Sequence, residues 1–298
     1  MEKPAYLKKG DKVVIVSTAR KVSREEMQPA IEEFHDWGLE VVLGENLFNE
    51  DHQFSGTTAQ RTADLQKALD DPAIKAVFCA RGGYGTVKII DALDFSVFIQ
   101  HPKWIVGFSD VTVLHDHIHQ NYHIQTIHAT MPINFATTAR ESLSSLKSAL
   151  FGEPLSYEWD TSFLNRNGEA SGLLIGGNLS IIYSLTGTNS QIDTEGKILF
   201  IEDLDEYLYH IDRMMMNLKR SGMLSKLAGL IVGGMSDMND NAIPYGKSAH
   251  EIIKKTVEEY NYPVCFDFDA GHVHTNLALI FGAKIKLTVA DKCSLVFD

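Results

Sequence analysis

The segment Trp104-Ile-Val-Gly-Phe-Ser-Asp-Val-Thr112 leaves the chain around it little choice of fold. Trp104-Ile-Val reads as a buried strand. Gly107 then permits a sharp turn with close backbone approach, and Asp110 through Gln120 reads as helix. Ser109 falls at the strand-to-helix corner, where a side chain stands proud of a sheet edge. The N–H groups of the helix start lie just behind it, ready for a developing oxyanion. That is the placement a nucleophilic serine needs. The motif is G-x-S-D rather than G-x-S-x-G, so it does not spell an α/β-hydrolase. A helix cap formed by Ser109 or Asp110 is the structural alternative.

The flanking sequence repeats the strand-then-helix theme. Lys12-Val-Val-Ile-Val-Ser17 reads as a strand, and Ser23-Arg-Glu-Glu26 as a capping box opening a helix with Met27, Ile31 and Phe34 on its apolar face. Gly38 sits where a C-terminal glycine belongs. A strand over 39–43 follows, then a polar loop, a helix capped by Thr57 or Thr58, and a strand over 74–80. Arg81-Gly-Gly-Tyr-Gly85 comes directly after that strand, and helix is expected to resume to about Leu93. The rhythm predicts an open parallel α/β sheet. Ligands of such sheets sit beyond the carboxyl ends of the strands, where both the Arg81 loop and Ser109 belong.

We expect an N-terminal α/β domain over residues 1–155, a polar linker over 156–169 and a C-terminal domain over 170–298. In that last region Lys197-Ile-Leu-Phe-Ile201 reads as a strand ending on the acidic run Glu202-Asp-Leu-Asp-Glu206. A helix with Ile211, Met214, Met215 and Leu218 inward follows, then a strand over 227–232, a helix over 247–260 and a strand over 263–267. Asp269-Ala-Gly-His-Val-His-Thr-Asn276 is a polar turn, and short strands over 277–281, 283–289 and 294–297 close the chain.

Composition narrows the function. The formal net charge of −12 argues against nucleic acid as the main partner. No apolar run approaches a membrane span, and no signal-peptide h-region is visible. Cys79, Cys265 and Cys293 form no C-x-x-C pair and read as reduced core residues, so a cytoplasmic location is expected. Of twelve histidines, His115, His119 and His123 share one helical face. They lack an H-E-x-x-H pattern, and a solvated or half-buried helix face is the expectation rather than a zinc site.

Glu202, at the end of an apolar strand, and His272, in a turn after Asp267-Phe-Asp269, can converge on the same rim as Ser109. Together they would supply an orienter, a base and a nucleophile. Glu206, four residues further on, stays open as the acid. Arg81 is a candidate for a substrate carboxylate, or else a structural salt bridge. The glycine loop lacks a P-loop lysine and the full G-x-G-x-x-G, which disfavours a non-catalytic nucleotide-binding module.

Seven pieces in order carry a resemblance: Ala80-Arg-Gly-Gly-Tyr-Gly85, Gly107-Phe-Ser-Asp-Val-Thr112, Thr126-Ile-His128, Gly176-Gly-Asn-Leu179, Leu199-Phe-Ile-Glu-Asp203, Ile211-Asp-Arg213, and Gly271-His272 with Asn276. The chain resembles the LD-carboxypeptidase family of serine peptidases, which includes the microcin C self-immunity peptidases. The resemblance implies a two-domain fold, with an N-terminal α/β domain and a smaller β-rich C-terminal domain. From the residues themselves the second half reads as mixed strands and helices. The resemblance further implies a triad of Ser109, Glu202 and His272, with oxyanion donors from the backbone N–H groups of Asp110 and Gly83. It implies no metal or cofactor, a homodimer, and removal of the terminal D-alanine of a murein tetrapeptide. Cleavage of an aminoacyl-nucleotide conjugate is the alternative within the family. Where the family often carries glycine and proline after the histidine matching His128, this chain has Ala129-Thr-Met-Pro132.

Overall fold

A computed structural model describes all 298 residues. Five apolar runs become the parallel strands of one sheet: β1 (Lys12–Val16), β2 (Glu40–Leu43), β3 (Ile74–Cys79), β4 (Trp104–Gly107) and β5 (Thr126–His128). The helices between them are α1 (Arg24–Asp36), α2 (Thr58–Asp70), α3 (Ser96–Gln100) and α4 (Thr112–Tyr122), with α5 (Arg140–Phe151) after β5. Both faces of the sheet are covered, as a parallel sheet requires. On one side Phe34 and Met27 of α1 pack with Val13 and Phe78. On the other, Leu65 and Leu69 of α2 pack with Val14 and Val77. The first two helices begin at complete capping boxes, Ser23 with Glu26 and Thr57 with Gln60. The end of α2 is closed by a residue whose role the sequence does not announce. Buried Lys103 donates its ammonium to the carbonyls of Ala68, Leu69 and Asp71 at 2.7–2.9 Å.

Strand order is β2-β1-β3-β4-β5, so the connections leave β1 in opposite directions. The loops after β1 and β3 therefore part at a topological switch point, the place where open α/β sheets bind ligands. Between β3 and β4 the expected helix to Leu93 is replaced by two single 3₁₀ turns, Thr86–Lys88 and Ile90–Ala92.

The second sheet is mixed. Its strands are β6 (Ser156–Asp160), β7 (Gly168–Asn178), β8 (Ile198–Leu204), β9 (Gly229–Ser236), β10 (Val264–Cys265), β12 (Lys284–Val289) and β13 (Lys292–Phe297), in the order β10-β9-β8-β7-β12-β13-β6. The one strand of this half left over, β11 (Leu279–Phe281), joins the first sheet instead, antiparallel to β5. Helices α6 (Leu179–Ser184), α7 (Leu208–Arg220) and α8 (Ala249–Thr256) pack on the parallel half. Long β7 serves both halves: Gly168–Leu173 pairs with β12 and Leu174–Asn178 with β8. Part of the polar stretch read as a linker is thus β6, an edge strand whose alternating burial leaves every second side chain in solvent. Its composition is polar because only one face is covered. Met214 and Met215 of α7 are core, as expected, while Met216 faces solvent.

The two sheets meet at the start of α4. The backbone N–H of Asn178 donates to Thr112 Oγ1 at 3.0 Å. A Cβ on Gly177 would lie 2.4 Å from that same oxygen, so glycine is what permits the approach.

Candidate active site

The corner after β4 is tighter than an ordinary cap. Ser109 has φ +63°, a left-handed conformation that costs a non-glycine residue about 1 kcal/mol or more. It opens a 3₁₀ turn, Ser109–Val111, that runs into α4. Neither Ser109 nor Asp110 caps the helix: no side chain bonds to the helix start. Ser109 Oγ instead lies against the glycine loop, within 3.0 Å of where a Cβ on Gly82 would stand. The next glycine, Gly83, has φ +112° and carries the Arg20 side chain against it. Neither Gly82 nor Gly83 spends its backbone N–H on another protein group.

Asp110 ties that loop to the corner. Its Oδ2 accepts from Thr86 N at 2.9 Å and from Thr86 Oγ1 at 2.7 Å. From the other side buried Arg61 donates to the carbonyls of Thr18 at 2.7 Å and Gly85 at 3.1 Å. Burial pushes the Asp110 carboxyl above its ordinary value, against the pull of the Thr86 hydrogen bonds and the nearby arginines.

Glu202 lies in the buried part of β8, one residue before buried Asp203 and beside Asn178 of β7. Its carboxylate is wholly buried, and Oε2 accepts twice from one residue: from His272 Nδ1 at 2.7 Å and from His272 N at 3.1 Å. The Nδ1 bond assigns the imidazole hydrogen to that nitrogen and leaves Nε2 as the basic one. Nε2 makes no hydrogen bond within the protein. Phe108, the residue before Ser109, packs on the ring at 4.8 Å between centroids. Burial lowers the affinity of His272 for a proton, but the charge and hydrogen bond of Glu202, with Asp203 behind, outweigh it, and the pKa lies above the usual 6.5. Asp203 itself is pushed up to about 7 by burial and by Glu202.

Ser109 and His272 line one cleft of about 550 Å³ between the two sheets. Arg20 and Arg81 line it as well, opposite in charge to Asp203, Asp205 and Glu206. The guanidinium of Arg81 forms no salt bridge; its one contact is a 3.4 Å bond to the Lys21 carbonyl. Glu206 is engaged elsewhere, with its Oε2 2.6 Å from His210 Nδ1 one helical turn on. Arg20, Asn178 and Ser180 carry no expected role from the sequence, although Asn178 lies in the Gly176–Leu179 piece. For Arg20 a signal existed: it follows β1, on the rim where the β3 and β4 loops also end.

The histidine-rich helix departs from expectation. His115 and His119 are buried, not solvated, and only His123 of that face is exposed. His115 Nε2 is 2.9 Å from the Gly107 carbonyl and His119 Nε2 is 3.0 Å from Thr126 Oγ1. Phe281 of β11 packs against the rings of His115, His119 and His128. Burial holds His115 down at about 4, and His119 and His128 well below the ordinary histidine value. No group of three metal-ligating side chains gathers here or elsewhere.

A serine at a strained corner, an imidazole held by a buried carboxylate and a shared cleft between two α/β units are the parts of a hydrolase. The sequence matches the LD-carboxypeptidase N-terminal domain over residues 13–129 and the LD-carboxypeptidase C-terminal domain over 171–287. It is 36% identical to a probable murein peptide carboxypeptidase of Bacillus subtilis over 303 residues, covering 99% of this chain and 94% of that one. The fold is similar to muramoyltetrapeptide carboxypeptidase from Oxalobacter formigenes, with a TM-score of 0.88 at 24% identity over 96% of this chain and 98% of that one. It is equally similar to the microcin C7 self-immunity protein in complex with aspartyl sulfamoyl adenosine, with a TM-score of 0.89 at 22% identity over 99% and 98%. The chain belongs to the LD-carboxypeptidase family and is a peptidase.

Proposed function

We propose that this protein is a serine carboxypeptidase that removes the terminal D-alanine of murein tetrapeptides by cutting an L,D peptide bond. The observation that carries the chemistry is the 2.7 Å bond from His272 Nδ1 to Glu202, on a cleft that also exposes Ser109. The substrate class rests on the similarity to the murein peptide carboxypeptidase of Bacillus subtilis.

His272 Nε2 takes the proton from Ser109 Oγ as that oxygen attacks the scissile carbonyl. Glu202 fixes the tautomer and stabilises the imidazolium that forms. The backbone N–H groups of Gly83 and Asp110 hold the oxyanion, each worth about 3 kcal/mol of barrier reduction. His272 then gives its proton to the leaving amine, D-alanine departs, and water attacks the acyl-enzyme by the same route. The free carboxylate of the substrate needs a cation, and Arg81, with Arg20 beside it, faces the cleft without a salt bridge. No step uses a metal or an organic cofactor.

Phe108 is the one phenylalanine, tyrosine or tryptophan lining the cleft, and it packs on His272. The only other ring in the cleft is that of His272 itself, so a nucleobase would find no uncommitted ring to stack on, which favours the murein peptide over a nucleotide conjugate. Three unpaired buried cysteines and the absence of any helix long and apolar enough to cross a membrane support a cytoplasmic enzyme. A homodimer follows from the family resemblance.

The test offers purified protein the tetrapeptide ending in D-alanine and its L-alanine epimer, and follows alanine release. Release from the D-epimer alone is expected, together with labelling of Ser109 by a fluorophosphonate. Equal rates on both epimers, or cleavage of only an aminoacyl-nucleotide conjugate, would overturn the reading.

A further inference from the structure

The His272 turn has a second cavity on it. It measures about 360 Å³ and shares Phe108, Asn134 and His272 with the catalytic cleft. Its remaining walls are short and polar: Thr130, Thr137, Thr138, His274 and Asn276 among them, with no lysine, arginine, aspartate or glutamate.

Three of these walls hold polar atoms that are buried and without a partner: Thr130 Oγ1, Asn134 Oδ1 and Asn276 Nδ2. Thr130 is 1% exposed and Asn276 2%. Leaving such groups unmatched costs about 1–3 kcal/mol each, so unpartnered ones gathered on one cavity call for an explanation. The orientation of Asn276 is set by its surroundings. Its Oδ1 accepts from Gly271 N at 2.9 Å, and its own backbone N–H is held by Ser142 Oγ at 2.9 Å. The amide nitrogen is therefore a donor with nothing to donate to. Asn134 Oδ1 is an acceptor, and the Thr130 hydroxyl can serve as either.

We propose that this cavity is a subsite for a neutral hydrogen-bonding group of the substrate, an amide or a hydroxyl, on the acyl side of the scissile bond. The proposal rests on the function given above. A carboxypeptidase releases a single residue, so whatever extends further must lie on the acyl side. A site without lysine, arginine, aspartate or glutamate, whose His272 wall is neutral in the reactive form, and with both donors and acceptors, suits an amide or a hydroxyl and gives no fixed counter-charge to a carboxylate or an ammonium. Because the cavity adjoins His272, binding there would hold the acyl part in register with Ser109, which raises turnover as well as affinity.

Such a group can come from the peptide stem itself or from the muramoyl sugar attached to it. The experiment measures kcat/KM for D-alanine release from three substrates: an N-acetylated dipeptide with the same L,D bond, the free tetrapeptide, and the muramoyl tetrapeptide. Thr130→Val removes one unpartnered hydroxyl at nearly constant volume. Thr137→Trp, at an exposed position, blocks the cavity even where the first variant folds poorly. In the variants the preference for long over short substrate should drop about tenfold, the size of one neutral hydrogen bond. A drop already seen with the free tetrapeptide assigns the cavity to a peptide amide; one confined to the muramoyl substrate assigns it to a sugar hydroxyl. Folded variants that keep the wild-type preference would overturn the subsite while leaving the peptidase intact. A wild-type protein that releases D-alanine from none of the three would overturn the function and the subsite with it.

Discussion

A Cβ added to Gly271 would stand 2.5 Å from Glu202 Oε2, closer than real Cβ contacts come. The residue before the histidine thus leaves the space in which the carboxylate receives both His272 N and His272 Nδ1. Gly271 also has φ +99°, where a side chain is strained whatever the space. Gly271→Ala should therefore push Glu202 off the imidazole. We expect kcat/KM to fall at least about 100-fold with a KM changed much less, since the geometry lost is that of the proposed base. Steady-state kinetics with circular dichroism as a folding control decides it.

The strain at Ser109 predicts opposed effects on activity and stability. Ser109→Ala and Ser109→Gly should both abolish turnover, leaving about 10³-fold catalysis over water. Only the glycine variant relieves the left-handed backbone, so it should be about 1 kcal/mol more stable than the alanine variant. Thermal melts of the two side by side provide the comparison. A glycine variant no more stable than the alanine one would mean that the corner stores no strain.

Glu202 and Glu206 end up with different histidines, His272 and His210. Glu202→Gln should cost about 10³–10⁴-fold in kcat, the scale of a triad that loses its orienting carboxylate. Glu206→Gln should cost far less. Turnover numbers for the two variants under identical conditions settle which acid serves the base, and a more damaging second variant would reassign it.

The raised pKa of His272 predicts the acid limb of the rate profile. In the proposed mechanism the ring must be neutral to accept the Ser109 proton, so kcat/KM should fall as pH drops through a value above 6.5. Neutralising Glu202 removes the charge and hydrogen bond that raise it, so in Glu202→Gln the residual activity should hold to lower pH. A limb that stays in place in that variant would contradict the coupling.

His115 predicts a stability effect of the opposite kind. Its folded pKa is depressed to about 4 by burial, so the unfolded chain takes up the proton first as pH falls. Stability present above the unfolded value near 6.5 is lost progressively down to about 4, by about 3 kcal/mol in full. Buried Asp116 and Asp203, whose pKa values are raised, act in the reverse direction over the acid range. The measurement is therefore a difference: urea unfolding of wild type and His115→Asn between pH 7 and pH 4. The wild-type advantage should shrink with falling pH, and a constant gap would show that the imidazole is not held neutral.

The sequence by itself determined the local events. The apolar runs 12–16 and 74–79 beside the capping boxes at Ser23 and Thr57 mark strands alternating with helices, and the run at 104–112 puts a serine onto a corner. Those signals are short-range, because capping, periodicity and glycine turns depend on neighbours within one or two turns of chain. The tertiary structure decided what lies far apart in sequence. Glu202 and His272 meet because β8 and the loop after β10 end side by side across β9, and Gly271 has no Cβ. The polar 156–160 became a strand because β13 offered it an edge. His115 and His119, expected on a solvated or half-buried face, lie in the interior because β11 left its own half of the chain, paired with β5 and brought Phe281 over their rings. Burial by a segment more than 150 residues away leaves no trace in the periodicity of the helix it covers, and so that decision belongs to the fold alone.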